Sequence, residues 1–236
     1  MPTVVLVRHG LTVMTGPKLA GWTPGLGLDE RGRKQAEAVA ERLRPLPLAA
    51  AVSSPLDRCL QTAEIILAGR ETPTLEVDDR LGECRYGDWT GQELKVLAKD
   101  PLWKVVQNHP SAVVFPGPEG EPLRETQNRA VAAVRDTNAR VEAEHGPDAV
   151  WLACSHGDVI KAIVADALGL HLDQFQRISA DPCSVTVIRY TDLRPFVLRT
   201  NDTGGDVASL IPPKKKGRRR KPSSDATVGG GVAGTA

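Results

Sequence analysis

Two histidines and one arginine occupy positions at which an alternating strand and helix pattern places reactive side chains. His9 follows an unbroken apolar run, residues 3–7, and His156 follows a second such run, residues 149–154. Runs of this kind are typical of central strands covered on both faces, and ligands in open α/β sheets bind at the carboxyl ends of such strands. Arg58 is expected in the first turn of a helix just beyond another strand, where backbone N–H groups and the helix dipole favour an anion. The pattern therefore predicts a site in which imidazole and guanidinium groups surround an anionic group.

The immediate neighbours of the two histidines support this interpretation. Arg8 precedes His9, and a glycine that permits a sharp turn follows each histidine, Gly10 in one case and Gly157 in the other. The alternative is a strand end that happens to be basic, because a histidine after a strand is common. Parallel neighbouring strands would bring His9, Arg58 and His156 together, but the sequence alone does not give the strand order.

The elements that must position these side chains alternate along most of the chain. Asp29 is a candidate N-cap for a first helix that ends before Pro45. Ser54-Pro55 is a strong start for a second helix, with the serine as cap and the proline at the first helical position. Short strands are predicted at 49–53, 74–77, 185–190 and 196–199, and helical patterns at 93–107 and 121–144. The alternation predicts an α/β fold with a mostly parallel sheet and helices on both faces, a three-layer α/β/α sandwich.

Composition separates a globular part from a basic tail. The 236 residues are 41% hydrophobic and include 30 basic and 29 acidic side chains, which is typical of a soluble globular protein. From Pro212 onward the chain is rich in Lys and Arg and then in Gly, Ala, Thr and Val, so it cannot bury enough apolar area to offset its ordering entropy. We therefore predict one domain over residues 1–211 and a disordered basic, Gly/Ala-rich tail over residues 212–236.

The tail carries most of the charge asymmetry of the chain. Seven basic residues lie between positions 214 and 221, within a chain of net charge +1. Such a block could contact nucleic acid or another anionic surface through non-specific, salt-sensitive contacts. A solvated tail with no dedicated partner is the preferred interpretation.

Cysteine usage and hydropathy suggest a cellular location. The four cysteines are scattered without a CxxC pair, which favours reduced thiols over disulfides or a zinc site. No apolar run is long enough to cross a membrane, and the first residues do not have the arrangement of a signal peptide. We expect a cytoplasmic protein that makes no membrane contact.

Four separated motifs carry a family resemblance. They are Leu6-Val7-Arg8-His9-Gly10-x-Thr12, Ser53-Ser54-Pro55-x-x-Arg58-Cys59-x-Gln61-Thr62-Ala63, Leu81-x-Glu83-x-x-x-Gly87-x-Trp89-x-Gly91 and Ser155-His156-Gly157. From residue 3 to about residue 200 the chain resembles the histidine phosphatase superfamily, also called the phosphoglycerate mutase-like family. The resemblance implies a phosphoglycerate mutase-like sandwich that requires no metal or other cofactor.

The resemblance also implies roles for individual side chains. His9 is expected to attack phosphorus and form a phosphohistidine. Glu83 is expected to protonate the leaving oxygen and then to activate the water that hydrolyses the intermediate. The side chains expected around the phosphoryl group are Arg8, Arg58, His156 and Thr15, together with Gly157.

A second set of residues is expected to bind the rest of the substrate. The candidates are Gly21, Trp22, Arg85 and Tyr86, and for Trp22 and Trp89 packing within a loop is an equally good interpretation. Thr15 departs from the family pattern, because many members have an asparagine there; threonine can still donate a hydrogen bond. His109, His145 and His171 fall outside every motif and are expected at the surface or at helix ends.

Departures from the family pattern favour hydrolysis over phosphoryl transfer between substrates. Mutases of this family carry a longer insertion with paired arginines after the glutamate, whereas this chain has only Arg124 and Arg129, which we assign to loop residues rich in Pro and Gly. We expect a phosphoric monoester hydrolase that acts on a small phosphorylated metabolite, such as a sugar phosphate, a phosphoglycerate, α-ribazole phosphate or a phospho-acid.

Three alternatives remain open from the sequence. The first is a phosphoglycerate mutase-type phosphomutase, and the second is a non-catalytic phosphoester-binding module. The third is a metal site formed by His9, His156 and Glu83, which is disfavoured because two arginines in the same pocket would repel a cation. A homodimer is compatible with the sequence, which does not give the oligomeric state.

Overall fold

A computed structural model describes residues 2–205. A six-stranded sheet in the order β3-β2-β4-β1-β5-β6 forms its centre. The strands are β1 (Thr3–Arg8), β2 (Leu48–Ser53), β3 (Leu75–Val77), β4 (Val150–Ser155), β5 (Val185–Arg189) and β6 (Phe196–Asp202). Strands β3, β2, β4 and β1 are mutually parallel, whereas β5 is antiparallel to β1 and β6 is antiparallel to β5. The predicted mostly parallel α/β sheet is confirmed, with an antiparallel edge.

Helices cover both faces of the sheet. They are α1 (Glu30–Leu43), α2 (Asp57–Leu67), α3 (Leu94–Leu97), α4 (Pro101–Asn108), α5 (Leu123–His145) and α6 (Gly157–Ala167). Helices α1 and α2 pack on one face of the sheet and α5 and α6 on the other. This arrangement is the predicted three-layer sandwich.

The central strands are apolar at nearly every position because both faces are buried. In β1, Val4 and Leu6 point into the core beneath α5 and α6, while Val5 and Val7 point into the core beneath α1. Strand β4 lies between β1 and β2 and is buried in the same way. Each strand therefore requires an apolar residue at nearly every position, which is the pattern that predicted them.

The predicted N-cap is present in the first helix and absent from the second. Asp29 caps α1 as predicted, accepting a hydrogen bond from the backbone N–H of Gly32 at 2.8 Å. Helix α2 begins at Asp57, its N-cap is Leu56 and no side chain caps it, so the predicted cap by Ser54 is wrong. Arg58 still lies in the first turn of α2.

The third predicted helical region divides into two helices. The helical pattern predicted at 93–107 corresponds to α3 and α4. The two are separate because Asp100 accepts a hydrogen bond from the backbone N–H of Leu102 and Pro101 begins a new helix. Helix α5 confirms the helical pattern predicted at 121–144, so Arg124 and Arg129 are helical and their separate assignment to a loop is wrong. The domain boundary predicted at residue 211 and the basic tail lie outside the described residues.

Candidate active site

The adjacent ends of β1 and β4 bring the two predicted histidines together. The register pairs Arg8 with Ser155, and the backbone N–H of His9 donates to the Ser155 carbonyl at 3.0 Å. The imidazole rings of His9 and His156 then meet edge to face, with centroids 5.2 Å apart. Arg58 reaches both rings from the first turn of α2. The structure therefore brings together the three side chains that the strand pattern predicted to converge.

The hydrogen bonds of His9 define its tautomer. Nδ1 lies 2.8 Å from the Gly10 carbonyl oxygen and donates to it, which leaves the lone pair on Nε2. The Nε–H of Arg58 points at this lone pair at 3.2 Å. Burial, together with the charges of Arg58 and Arg8, holds the pKa of His9 well below its ordinary value of 6.5. The imidazole is therefore neutral at pH 7, the state required of a nucleophile.

The guanidinium of Arg58 is buried and leaves one nitrogen for a ligand. Its Nη2 donates to the Gly21 carbonyl at 2.8 Å and to Nδ1 of His156 at 3.1 Å. Its Nη1 is buried without a hydrogen-bond partner among the described residues. A buried guanidinium N–H without a partner is costly, and an anion in the pocket would satisfy it.

Arg8, the residue before His9, has a similar arrangement. Its Nη1 donates to the Ala180 carbonyl at 2.6 Å, and its Nε is buried without a hydrogen-bond partner among residues 2–205. Burial lowers the pKa of Arg8, and the nearby carboxylates of Glu83, Asp158 and Asp181 oppose that change.

His156 is oriented by Ser54, the residue predicted to cap the second helix. The Ser54 hydroxyl lies 2.7 Å from Nε2 of His156. Because Nδ1 accepts from Arg58, Nε2 carries the proton and donates to Ser54. Burial and the charge of Arg58 hold the pKa of His156 well below 6.5. Gly157 follows as the first residue of α6, so the amino end of that helix lies at the site.

Glu83 is the carboxyl group of the site and is almost fully buried. Its Oε1 accepts the backbone N–H of Cys84 at 3.0 Å, and its Oε2 lies 3.9 Å from Nδ1 of His156. Burial, with a further contribution from the charge of Asp158, raises the pKa of Glu83 to about 7. The carboxyl group can therefore hold a proton or release it near neutral pH, as an acid–base catalyst requires.

The backbone carbonyl of Glu83 is held from two sides. Arg129 donates to it from α5 at 2.9 Å, and the indole N–H of Trp22 donates to it at 2.6 Å. Arg129 also donates to the carbonyls of Arg80 and Gly82 and pairs with the Glu121 carboxylate at 2.6 Å. Sequence reasoning missed this role of Arg129, although a helical pattern from residue 121 was recognised.

The predicted substrate-binding residues lie in different environments. Gly21 faces Arg58 with its carbonyl, and Trp22 is half-buried beneath the guanidinium of Arg85, 4.0 Å from its ring centroid. Arg85 is exposed, whereas Tyr86 is 0% exposed and its hydroxyl donates to Asp158 at 2.8 Å. Tyr86 therefore lies beneath the site and does not line its opening.

The remaining candidates also differ in their surroundings. The Thr15 hydroxyl accepts the backbone N–H of Thr12 at 3.0 Å and lies in a partly buried turn. Trp89 is buried in the hydrophobic core formed with Trp103 and Phe115, which favours the packing interpretation. His109, His145 and His171 have exposed side chains, as expected.

Among residues 2–205, no group of three or more His, Cys, Asp and Glu residues has a geometry that could hold a metal ion. None of the helices in this part of the chain is both long enough and apolar enough to span a membrane.

Fold and site together define the class of protein. The site combines the neutral imidazole of His9, two buried guanidinium groups and a carboxyl group whose pKa is about 7. This combination is suited to transferring an anionic group to and from nitrogen. A family model described as the histidine phosphatase superfamily (branch 1) matches residues 4–203, and the chain belongs to that family.

The relatives of this chain include both phosphatases and mutases. It is 31% identical over 215 residues to phosphoserine phosphatase 1 of Hydrogenobacter thermophilus, covering 86% of this chain and 93% of the relative. It is 29% identical over 218 residues to a probable phosphoglycerate mutase GpmB of Cronobacter sakazakii, covering 90% and 97%. A solved mycobacterial glucosyl-3-phosphoglycerate phosphatase superposes with a TM-score of 0.72 at 26% identity, covering 85% of this chain and 98% of that one. The chain is therefore an enzyme of the phosphatase or phosphomutase kind.

Proposed function

We propose that the chain is a metal-independent phosphomonoesterase that hydrolyses a small phosphorylated metabolite through a phosphohistidine at His9. The observation that carries this proposal is the state of His9, a neutral imidazole whose Nε2 lone pair faces a buried guanidinium. Phosphoryl transfer needs positioning and charge stabilisation above all, and Arg8 and Arg58 supply both with nitrogens that have no other partner among residues 2–205.

The reaction proceeds in two displacements. Nε2 of His9 attacks phosphorus, the nitrogen–phosphorus bond forms, and the bond to the ester oxygen breaks as that oxygen takes the proton of Glu83. Glu83, now a carboxylate, removes a proton from water while the water oxygen attacks phosphorus. The nitrogen–phosphorus bond then breaks, which returns neutral His9, protonated Glu83 and inorganic phosphate.

Trp22 and Arg85 support a substrate that carries polar groups besides its phosphate. Trp22 is held over the loop of Glu83 by its indole N–H, and the exposed guanidinium of Arg85 lies on its ring. A carboxylate or hydroxyl group of the substrate could pair with Arg85 while the phosphate occupies the arginine pocket. Phosphoserine and glucosyl-3-phosphoglycerate, on which the relatives act by name, belong to this chemical class.

A phosphomutase is the second candidate, because one of the relatives carries that name. The position of Arg129 favours the phosphatase. Its guanidinium is committed to Glu121 and to three backbone carbonyls, so it does not supply a second cationic group for a phosphoglycerate.

Product analysis separates the two candidates. Incubation with 3-phosphoglycerate and a trace of its bisphosphate should release free phosphate faster than 2-phosphoglycerate. A faster rate of isomerisation would replace the phosphatase with the mutase.

Trapping of the intermediate tests the nucleophile. Rapid quenching after mixing with ³²P-labelled phosphoserine should give acid-labile label on the wild-type protein and none on His9→Gln. His171→Gln, which changes an exposed histidine, is the matched control and should label normally. Undiminished label on His9→Gln would reject His9, and absence of label with every reactive ester would reject the proposed mechanism.

A further inference from the structure

A buried ion pair lies beneath the site and is not used by the two displacements. Lys161 and Asp158 are both buried, with Nζ of Lys161 3.1 Å from Oδ1 of Asp158. Tyr86 donates its hydroxyl proton to Oδ2 of Asp158 at 2.8 Å. Nζ of Lys161 also donates to Gln176 at 2.6 Å and lies 4.3 Å from the ring centroid of Phe175.

Burying two charges is costly unless both are well satisfied, and a neutral pair could fill the same space. The first turn of α6 favours an acidic residue, because the positive end of the helix dipole lies there. That preference does not account for a buried lysine one turn further along. The pair therefore calls for an explanation beyond the stability of the helix.

Asp158 is the member of the ion pair that lies on the side of the site. Asp158 is two residues beyond His156 and is tied by Tyr86 to the loop that contains Glu83. Lys161 lies one turn further along α6, against the segment Leu172–Arg177. The negative end of the pair is consequently the end closer to the catalytic carboxyl group.

We propose that Asp158, held in place by Lys161 and Tyr86, is a positioning residue whose fixed negative charge keeps Glu83 protonated until the leaving oxygen takes the proton. This inference rests on the proposed function, because it assigns a purpose to the proton of Glu83. Asp158 itself exchanges no proton: Glu83 gives one to the ester oxygen in the first displacement and recovers one from water in the second.

The charges around Glu83 show why such a residue is needed. Burial and the charge of Asp158 raise the pKa of Glu83, while Arg58, the backbone N–H of Cys84 and Arg8 lower it. His156 faces the carboxyl group from the start of α6. The hydrogen bonds that Arg129 and Trp22 donate to Glu83 go to its backbone carbonyl. The arginines that bind phosphate therefore favour loss of the proton that Glu83 must keep, and Asp158 opposes them.

Replacing Asp158 tests this inference through the pH dependence of the reaction. The variants are Asp158→Asn and Asp158→Asn combined with Lys161→Met, which removes the ion pair as a unit and avoids leaving a buried ammonium unpaired. Both changes remove negative charge near Glu83. Glycerol 3-phosphate has a poor leaving group that needs the proton. The alkaline limb of its kcat/KM profile should therefore shift to lower pH by about one unit. Hydrolysis of 4-nitrophenyl phosphate, whose leaving group needs no proton, should keep its alkaline limb.

A matched control lies on the same helix. Asp166→Asn changes a partly exposed carboxylate that pairs with Arg135 at the surface, and its profile should match that of the wild type. A direct readout is the ¹³C NMR titration of the Glu83 carboxyl group, whose midpoint should fall in both Asp158 variants. An unchanged midpoint and profile in the folded double variant would overturn the inference.

The two proposals fail in different ways. If wild-type protein hydrolyses neither ester and forms no phosphohistidine, the proposed function is wrong and the role of Asp158 fails with it. If the wild type is active and Glu83→Gln selectively loses glycerol 3-phosphate hydrolysis, but neither Asp158 variant moves the profile, only the role of Asp158 is wrong.

Discussion

Replacing Arg58 by lysine separates the geometry of its guanidinium from its charge. Arg58 donates through Nε to His9 and through Nη2 to the Gly21 carbonyl, while Nη1 has no partner among the described residues. When a phosphate displaces the contact with His9, Nε and Nη1 can meet two of its oxygens while Nη2 stays anchored. Lysine keeps the charge but has a single nitrogen with which to replace all three.

The magnitude follows from the contacts that lysine cannot make. At least one phosphate contact and the anchor to Gly21 are lost, and each hydrogen bond involving a charged group contributes about 2 kcal/mol. The sum, about 4 kcal/mol, corresponds to a fall of about 10³-fold in kcat/KM. Because the guanidinium acts on the phosphoryl group and not on the leaving oxygen, 4-nitrophenyl phosphate and glycerol 3-phosphate should lose activity to a similar degree.

Steady-state hydrolysis of the two esters, together with the rate of phosphohistidine formation, measures this effect. Arg135→Lys is the matched control, since Arg135 is exposed and pairs with Asp166 at the surface. Thermal unfolding establishes that Arg58→Lys is folded at the assay temperature. Activity within tenfold of the wild type in the folded variant would refute a two-oxygen contact from Arg58.

The remaining predictions concern the proton of Glu83, the neutral state of His9, the position of Gly21 and the metal independence of the reaction. Glu83→Gln should reduce hydrolysis of glycerol 3-phosphate by about 10²- to 10⁴-fold and leave that of 4-nitrophenyl phosphate much less affected; equal losses would contradict its role as acid. The pKa of Glu83 is raised from 4.5 to about 7 in the folded state, so the contribution of this group to stability is present below pH 4.5 and lost as the pH rises through 7. The free energy of unfolding of the wild type, measured in urea, should therefore fall relative to that of Glu83→Gln over this pH window. The effect of pH on stability has the opposite sign for His9, because a lowered pKa contributes stability above pH 6.5 that is lost on acidification. The free energy of unfolding of the wild type should therefore fall relative to that of His9→Gln below that pH. Gly21→Ala should lower kcat, since φ is +50° there and an added Cβ would lie 2.7 Å from the Thr90 hydroxyl oxygen, displacing the carbonyl that anchors Arg58. Hydrolysis should be unchanged in excess chelator, and a loss restored by zinc would contradict the proposed metal-independent mechanism.

Much of the fold could be predicted from sequence because its central strands are buried on both faces. Such strands are apolar throughout, and the polar residues that end them stand out, so β1 and β4 also revealed His9 and His156. Glu83 lies in irregular structure between two short 3₁₀ helices, where no periodicity identifies a residue, and only the family resemblance identified it.

Other parts of the site were missed because local rules and tertiary contacts compete for the same side chain. Ser54 is followed by a proline and an acid, the local signature of a helix cap, but its hydroxyl instead orients His156. Asp158 and Lys161 occupy positions i and i+3 of α6, whose other residues between Gly157 and Ala165 are apolar. A charged pair at that spacing within an apolar segment is a sequence signal, although nothing local indicates which site it faces.

Burial acts on the two kinds of titratable group in opposite directions, and this accounts for the charge state of the pocket. It favours the neutral form of every group, so it lowers the pKa of His9 and raises that of Glu83. Near pH 7 the cationic groups closest to His9 are therefore Arg8 and Arg58, whose hydrogen bonds run to carbonyl oxygens and imidazole nitrogens. A phosphate monoester carries nearly two negative charges at this pH, whereas a diester carries one, so two guanidinium groups match the monoester. The burial that keeps His9 neutral and favours the protonated form of Glu83 thus also leaves the pocket with the charge that its proposed substrate requires.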